Sequence, residues 1–159
     1  RRENAGEVDG TLYVNDAKRT TVAALAAALN SFDSRVILLA GGKFKGGDLG
    51  ALRAVLKEKA KAVGLFGASR AVFEEAWRDT VPLSWDADLP GAMMRVRDKA
   101  VSGDVVLLSP ATSSYDLYAN YKERGNHFCR LVEDLRQGAA LGAQGAKTGV
   151  LPWAAWISA

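Results

Sequence analysis

Val36-Ile37-Leu38-Leu39-Ala40-Gly41-Gly42 decides the fold: an unbroken apolar run of strand formers, closed by a glycine pair. A strand with one wet face alternates apolar and polar residues. A continuous run belongs to a strand covered on both faces, as in a parallel sheet between helices. The pattern returns in Val105-Val106-Leu107-Leu108, again in Ala62 to Phe66, and more weakly in Val81 to Trp85. Helical spacing fills the gaps, over Val22 to Leu29, Leu49 to Lys59, Ala71 to Trp77, Leu89 to Lys99 and Tyr118 to Arg136. Alternation of this kind predicts an α/β domain of three layers, α/β/α, with a mostly parallel sheet. Asp9-Gly10 is a tight-turn dipeptide between Glu7-Val8 and Thr11-Leu12. The first strand is therefore expected to pair as a hairpin and run antiparallel to the rest.

The chain has 159 residues, 48% hydrophobic and 25% charged, which predicts one compact domain with a full core. A net charge of +3, interspersed along the chain, argues against nucleic acid, and basic residues do not alternate with aromatic ones. Cys129 is the sole cysteine and His127 the sole histidine. No intramolecular disulfide or Cys/His metal cluster can form, and a reducing, cytoplasmic compartment is expected. No apolar run reaches the roughly 18 residues of a membrane span, and Arg1-Arg2-Glu3-Asn4 lacks the apolar core of a signal peptide. After Gln137 the composition shifts to Gly, Ala and small residues. The domain is read as 1–137 and the remainder, 138–159 with Trp153 and Trp156, as a tail.

Polar chemistry gathers where strands end. Val14-Asn15-Asp16-Ala17-Lys18-Arg19-Thr20-Thr21 passes from a strand to an alanine-rich helix, the kind of turn on which α/β proteins place ligands. Thr20 or Thr21 serves equally well as a helix cap there, and Lys18 as a solvated charge. Gly41-Gly42-Lys43-Phe44-Lys45-Gly46-Gly47-Asp48 offers a pliant backbone and two mobile cations, suited to phosphate or carboxylate. A flexible surface turn explains the same residues, and no Walker A sequence occurs in the chain. Ser109-Pro110-Ala111-Thr112-Ser113-Ser114-Tyr115-Asp116 is rich in hydroxyls, and reads either as an anion site or as a capped helix start.

No catalyst stands out. Ser114 has no histidine in a nearby motif, His127 sits in a helical segment as a packed or surface residue, and Cys129 in the same segment reads as a small core residue. No catalytic residue and no metal ligand is assigned. The chain reads as a binding half-site that recognises a carboxylate or phosphate and receives its reactive partner from elsewhere.

The three loops, in this order and spacing, resemble the C-terminal domain of the Mur ligases, most closely the branch that adds D-glutamate. The family pattern runs N-D-S-K-A-T-N, L-G-G-x-x-K-x-x-D, S-P-A-x-A-S-x-D-x-F and R-G-x-x-F. The counterparts here are Asn15 to Thr21, Ala40 to Asp48, Ser109 to Tyr118 and Arg124-Gly125-Asn126-His127-Phe128. The likeness extends from Arg1 to about Leu135, and Arg1 resembles the arginine of a His-Arg pair at the family's domain boundary. Ala17, Arg19, Thr21 and Tyr121 depart from the usual Ser, Ala, Asn and Phe.

The resemblance implies a Rossmann-like domain with a six-stranded sheet in the order 1-2-6-3-4-5, first strand antiparallel. It implies a ligase that uses ATP and Mg2+ to phosphorylate the carboxylate of UDP-N-acetylmuramoyl-L-alanine, after which the amine of D-glutamate attacks the acyl phosphate. The phosphate loop would lie in a preceding central domain, beside an N-terminal one, so this chain alone is expected to be inactive. Residue by residue, the likeness implies D-glutamate binding by Lys45, Thr20, Ser114, the backbone of Tyr115 and the ring of Tyr121. It places Arg1, Asp16 and Lys18 near the nucleotide. A sibling ligase, such as a folylpolyglutamate synthase or another Mur ligase, remains an alternative, as does a non-enzymatic module that binds a nucleotide or acidic metabolite. D- and L-glutamate are not distinguished.

Overall fold

The computed structural model of the chain describes residues 2–18, 20–33 and 36–138. A six-stranded sheet in the order β1-β2-β6-β3-β4-β5 forms its middle layer. The strands are β1 (Glu3–Val8), β2 (Thr11–Asn15), β3 (Val36–Gly41), β4 (Ala60–Phe66), β5 (Leu83–Asp86) and β6 (Val105–Leu108). β1 and β2 form the expected antiparallel hairpin across Asp9 and Gly10, both at positive φ, and every other pairing is parallel.

Helices cover both faces, as the continuous strands require. Val36, Leu38 and Ala40 turn to one face and meet α1 (Val22–Asn30), α2 (Arg53–Lys59) and α3 (Arg70–Trp77) through Leu25, Leu56, Phe73 and Trp77. Ile37 and Leu39 turn to the other, against Met93 and Val96 of α4 (Leu89–Lys99) and Phe128, Leu131 and Val132 of α5 (Tyr121–Arg136). Trp77 is wholly buried and donates its indole N–H to Leu49 O at 2.9 Å. Truncating any of these large core side chains to alanine is expected to destabilise by about 2–5 kcal/mol.

Two local expectations change, and the choice between Thr20 and Thr21 is settled. The helix read over Leu49 to Lys59 divides into a 3-10 turn, Leu49–Leu52, and α2. Gly50 weakens the regular helix where the chain leaves the glycine loop. Thr21, rather than Thr20, caps α1 by accepting the Ala24 N–H at 3.1 Å. The last helix starts at Tyr121, not Tyr118, because Asn120 accepts the Glu123 N–H at 2.9 Å and Glu123 accepts the Ala119 N–H at 3.1 Å. Ser109 to Asp116 is therefore not a helix start. The tail reading falls on 138–159, of which only Gly138 is among the described residues.

Candidate functional site

The strand order sets β2, β6 and β3 side by side and parallel, with Asn15 and Leu39 both in register with Leu108. Their C-terminal ends therefore release the three polar loops at one place. Backbone bonds continue past the strands: Asp16 N–H to Leu108 O at 2.8 Å, Ser109 N–H to Leu39 O at 3.2 Å, and Gly41 N–H to Pro110 O at 3.3 Å. Lys43 and Ser113 then exchange both backbone bonds, at 3.2 and 3.1 Å, zipping the glycine loop to the serine loop.

Arg124 holds this junction from below. It lies on the buried stripe of α5, in line with Phe128, Leu131 and Leu135, and is 0% exposed. Its guanidinium donates to Thr112 O at 3.0 Å, Ser113 O at 3.1 Å, Thr112 Oγ1 at 3.3 Å and Ala17 O at 3.5 Å. The Thr112 hydroxyl donates to Gly41 O, which joins the glycine loop to the junction. One cation thus binds all three loops. Among the described residues no carboxylate pairs with it, and burial lowers its pKa to about 10, opposed by the nearby Asp116 carboxylate. A fork of donors suits carbonyls that converge from two directions, which a lysine could not serve together.

The glycines are shaped to this junction. Gly42 has φ +119°, and a Cβ there would stand 2.5 Å from Thr112 Oγ1 and 2.6 Å from Ser113 O. Gly125 lets α5 approach the end of β2, where a Cβ would meet Asn15 Nδ2 at 2.8 Å. Asn15 itself accepts the Ala17 N–H at 3.0 Å and donates to Glu3 Oε1 at 3.0 Å, shaping the turn that leads to Lys18.

The residues singled out from sequence fall into two groups around Arg124. Ser114 is 3% exposed and follows the Lys43–Ser113 bridge, so its loop adjoins the one that carries the exposed Lys45. Gly47 of that loop stands against Val22, where a Cβ would lie 3.0 Å from Val22 Cγ2. The segment bearing Thr20, which is half-buried, therefore abuts the same loop. Tyr115 projects to solvent at 71% exposed.

Tyr121 and Lys18 belong to the second group. They line a cleft of about 240 Å³ with Glu3, Asn15, Lys122 and Asn126. Asp16 is 1% exposed beneath the loops, with Ser109 Oγ 3.4 Å from its Oδ2. Arg1 lies outside the described residues. Cys129, expected in the core, is half-buried at its margin, with Sγ 3.5 Å from Glu3 Oε1. Burial and the Glu3 carboxylate push its thiol up to about 11.

Two features went unread. Arg124 carried a readable signal, since its spacing to Phe128, Leu131 and Leu135 places it on the apolar face of α5. The second is a contact of Tyr118 Oη with His127 Nδ1 at 2.6 Å, which local sequence does not announce. Asp116, at the end of the serine loop, accepts the Ala68 N–H at 2.8 Å from the loop after β4 rather than opening a helix.

Residues 1–112 match the family model described as Mur ligase, glutamate ligase domain. The chain is 62% identical over 132 residues to a "UDP-N-acetylmuramoylalanine--D-glutamate ligase" of Oleidesulfovibrio alaskensis, covering 83% of this chain and 30% of that one. Proteins of the same name from Lawsonia intracellularis and Salinibacter ruber are 53% and 43% identical, each over 85% of this chain and 31% and 30% of theirs. The chain thus spans about 30% of the length of the curated relatives it matches. Among solved structures, a domain assigned to a UDP-N-acetylmuramate:L-alanyl-gamma-D-glutamyl-medo-diaminopimelate ligase of Haemophilus ducreyi superposes with a TM-score of 0.58 at 14% identity. The match covers 89% of this chain and 100% of that one, and shows a shared fold. The chain belongs to the Mur ligase, glutamate ligase domain family.

Proposed function

We propose that this chain is the amino-acid-accepting domain of a cytoplasmic, ATP-dependent ligase that joins D-glutamate to UDP-N-acetylmuramoyl-L-alanine in peptidoglycan synthesis. The observation that carries the reading is the junction at Arg124, which gathers the loops bearing Thr20, Lys45 and Ser114 beside one another. Similarity to ligases named for D-glutamate supports the choice of acceptor.

Glutamate brings two carboxylates and an amine. Lys45, exposed on a pliant loop, neutralises one carboxylate, while the hydroxyls of Thr20 and Ser114 and the Tyr115 N–H fix its orientation as donors. Tyr121, which the resemblance also assigns to the acceptor, lines the cleft with Lys18 instead. Held in this way, the amine would attack the acyl phosphate of the L-alanyl group, the C–O bond to phosphate breaking as the amide forms, with inorganic phosphate and the amine's proton released.

ATP would supply the phosphoryl group that activates that carboxylate. Lys18 and Lys122, at the mouth of the Tyr121 cleft, fit an anionic nucleotide, and the family resemblance assigns Arg1 and Asp16 to its ribose side. The described residues gather no cluster of carboxylate, imidazole and thiol groups suited to a metal ion, so none is given a part in holding Mg2+. The N-terminal and central parts of a longer ligase would supply the remaining machinery.

Lys45→Ala in the intact ligase tests the assignment. The KM for D-glutamate should rise roughly tenfold or more, the loss of one charged hydrogen bond, with the KM for ATP unchanged. Equal losses for both substrates would contradict it.

A further inference from the structure

The turn that carries Ser114 and Tyr115 is anchored on both sides. Its backbone closes on itself, with the Leu117 and Tyr118 N–H groups donating to Ser114 O at 3.2 and 2.8 Å. Asp116 ties it to the loop after β4 through Ala68. Gly67 makes room for that carboxylate, since a Cβ there would stand 2.5 Å from Asp116 Oδ2. On the other side Tyr118 reaches α5, its hydroxyl 2.6 Å from His127 Nδ1 and its ring edge-on to the imidazole at 5.6 Å.

Proton placement follows from chemistry. The phenol is neutral and a good donor, because burial raises its pKa, with Asp88 and Asp116 raising it further and Arg124 and Arg130 opposing. Burial lowers the pKa of His127, as does Arg130, with Asp88 and Asp134 opposing, so the ring is a neutral acceptor. Tyr118 O–H therefore donates to Nδ1, and the imidazole proton sits on Nε2.

We propose that the Tyr118–His127 hydrogen bond is a positioning latch that sets Ser114 and the Tyr115 N–H for the acceptor amino acid. The proposal rests on the acceptor-site reading above. Neither Tyr118 nor His127 touches substrate. They act through the turn, and their removal loosens the site without dismantling it.

Tyr118→Phe removes one oxygen and keeps the ring against the imidazole, so the variant is expected to fold. In the intact ligase the KM for D-glutamate should rise roughly three- to tenfold, the worth of one neutral hydrogen bond, with the KM for ATP unchanged. His127→Leu should match it, the double variant should be no worse than either, and His127→Asn, whose amide oxygen takes the place of Nδ1, should restore the parent value. Nitrogen NMR of the 159-residue chain, where His127 is the sole histidine, should show an Nε2–H tautomer whose Nδ1 signal shifts in Tyr118→Phe. An unchanged D-glutamate KM, equal rises in both KM values, or a protonated Nδ1 in the neutral ring would overturn the latch. A parent enzyme that ignores D-glutamate would overturn the acceptor reading and the latch with it.

Discussion

Replacing Arg124 with methionine deletes the cation at the loop junction while keeping a long, helix-favouring side chain. The bonds to Thr112 O at 3.0 Å and Ser113 O at 3.1 Å have normal length, and charge-assisted bonds of this kind are worth about 1.5–3 kcal/mol each. The contacts at 3.3 and 3.5 Å are long and add little. Against them stands desolvation, which brings the guanidinium from 12.5 to about 10, equivalent to about 3 kcal/mol against the charged form. Methionine relieves that cost but takes the guanidinium from the carbonyl of buried Thr112, at about 1–3 kcal/mol, while Ser113 O keeps the Lys43 N–H. The net loss is about 2–4 kcal/mol, comparable to breaking other buried charged networks. Urea unfolding should show a lower midpoint with an unchanged slope, and Tm should fall by roughly 4–16 °C. Arg124→Lys should recover only part, because an ammonium cannot fork between the carbonyls. Stability of Arg124→Met within about 0.5 kcal/mol of the parent, a typical surface effect, would refute the junction.

Gly42→Ala forces a Cβ to 2.5 Å from Thr112 Oγ1 at a φ of +119°, so it should destabilise by about 3 kcal/mol, and a stabilised variant in thermal melts would contradict the close approach. Asp16→Asn in the intact ligase should raise the KM for ATP more than that for D-glutamate. Unchanged ATP kinetics would confine Asp16 to a structural role beneath the loops, where it meets Ser109. The Cys129 thiol stands at about 11 against a usual 9.0, so near pH 7.5 it should hold about 100-fold less thiolate than an ordinary cysteine. Alkylation should be correspondingly slow and accelerate only as pH rises toward 11. Ordinary reactivity at pH 7.5 would contradict the influence of Glu3.

The fold was legible where one residue pattern admits one environment. Val36 to Ala40 and Val105 to Leu108 have no polar face, so each had to lie between helices, and both do. Asp88 followed by Pro90 opens α4 as a cap and a pre-bent first turn, and the boundary at Leu89 matches. The start of α5 was misread because Tyr118 continues the apolar spacing, although Asn120 and Glu123 spell a capping box. The site was legible as loops but not as a junction. Arg124 reaches Ala17 from 107 residues away, and no local pattern encodes which carbonyls a buried guanidinium will meet. Tyr118 and His127, nine residues apart across a loop and a helix turn, are invisible for the same reason.

The most direct test of the account is phosphate release by the intact ligase carrying this chain, supplied with ATP, magnesium and UDP-N-acetylmuramoyl-L-alanine, with D-glutamate or L-glutamate added in turn. The account predicts release that depends on D-glutamate and not on its mirror image. Release with L-glutamate alone, or with neither, would contradict it.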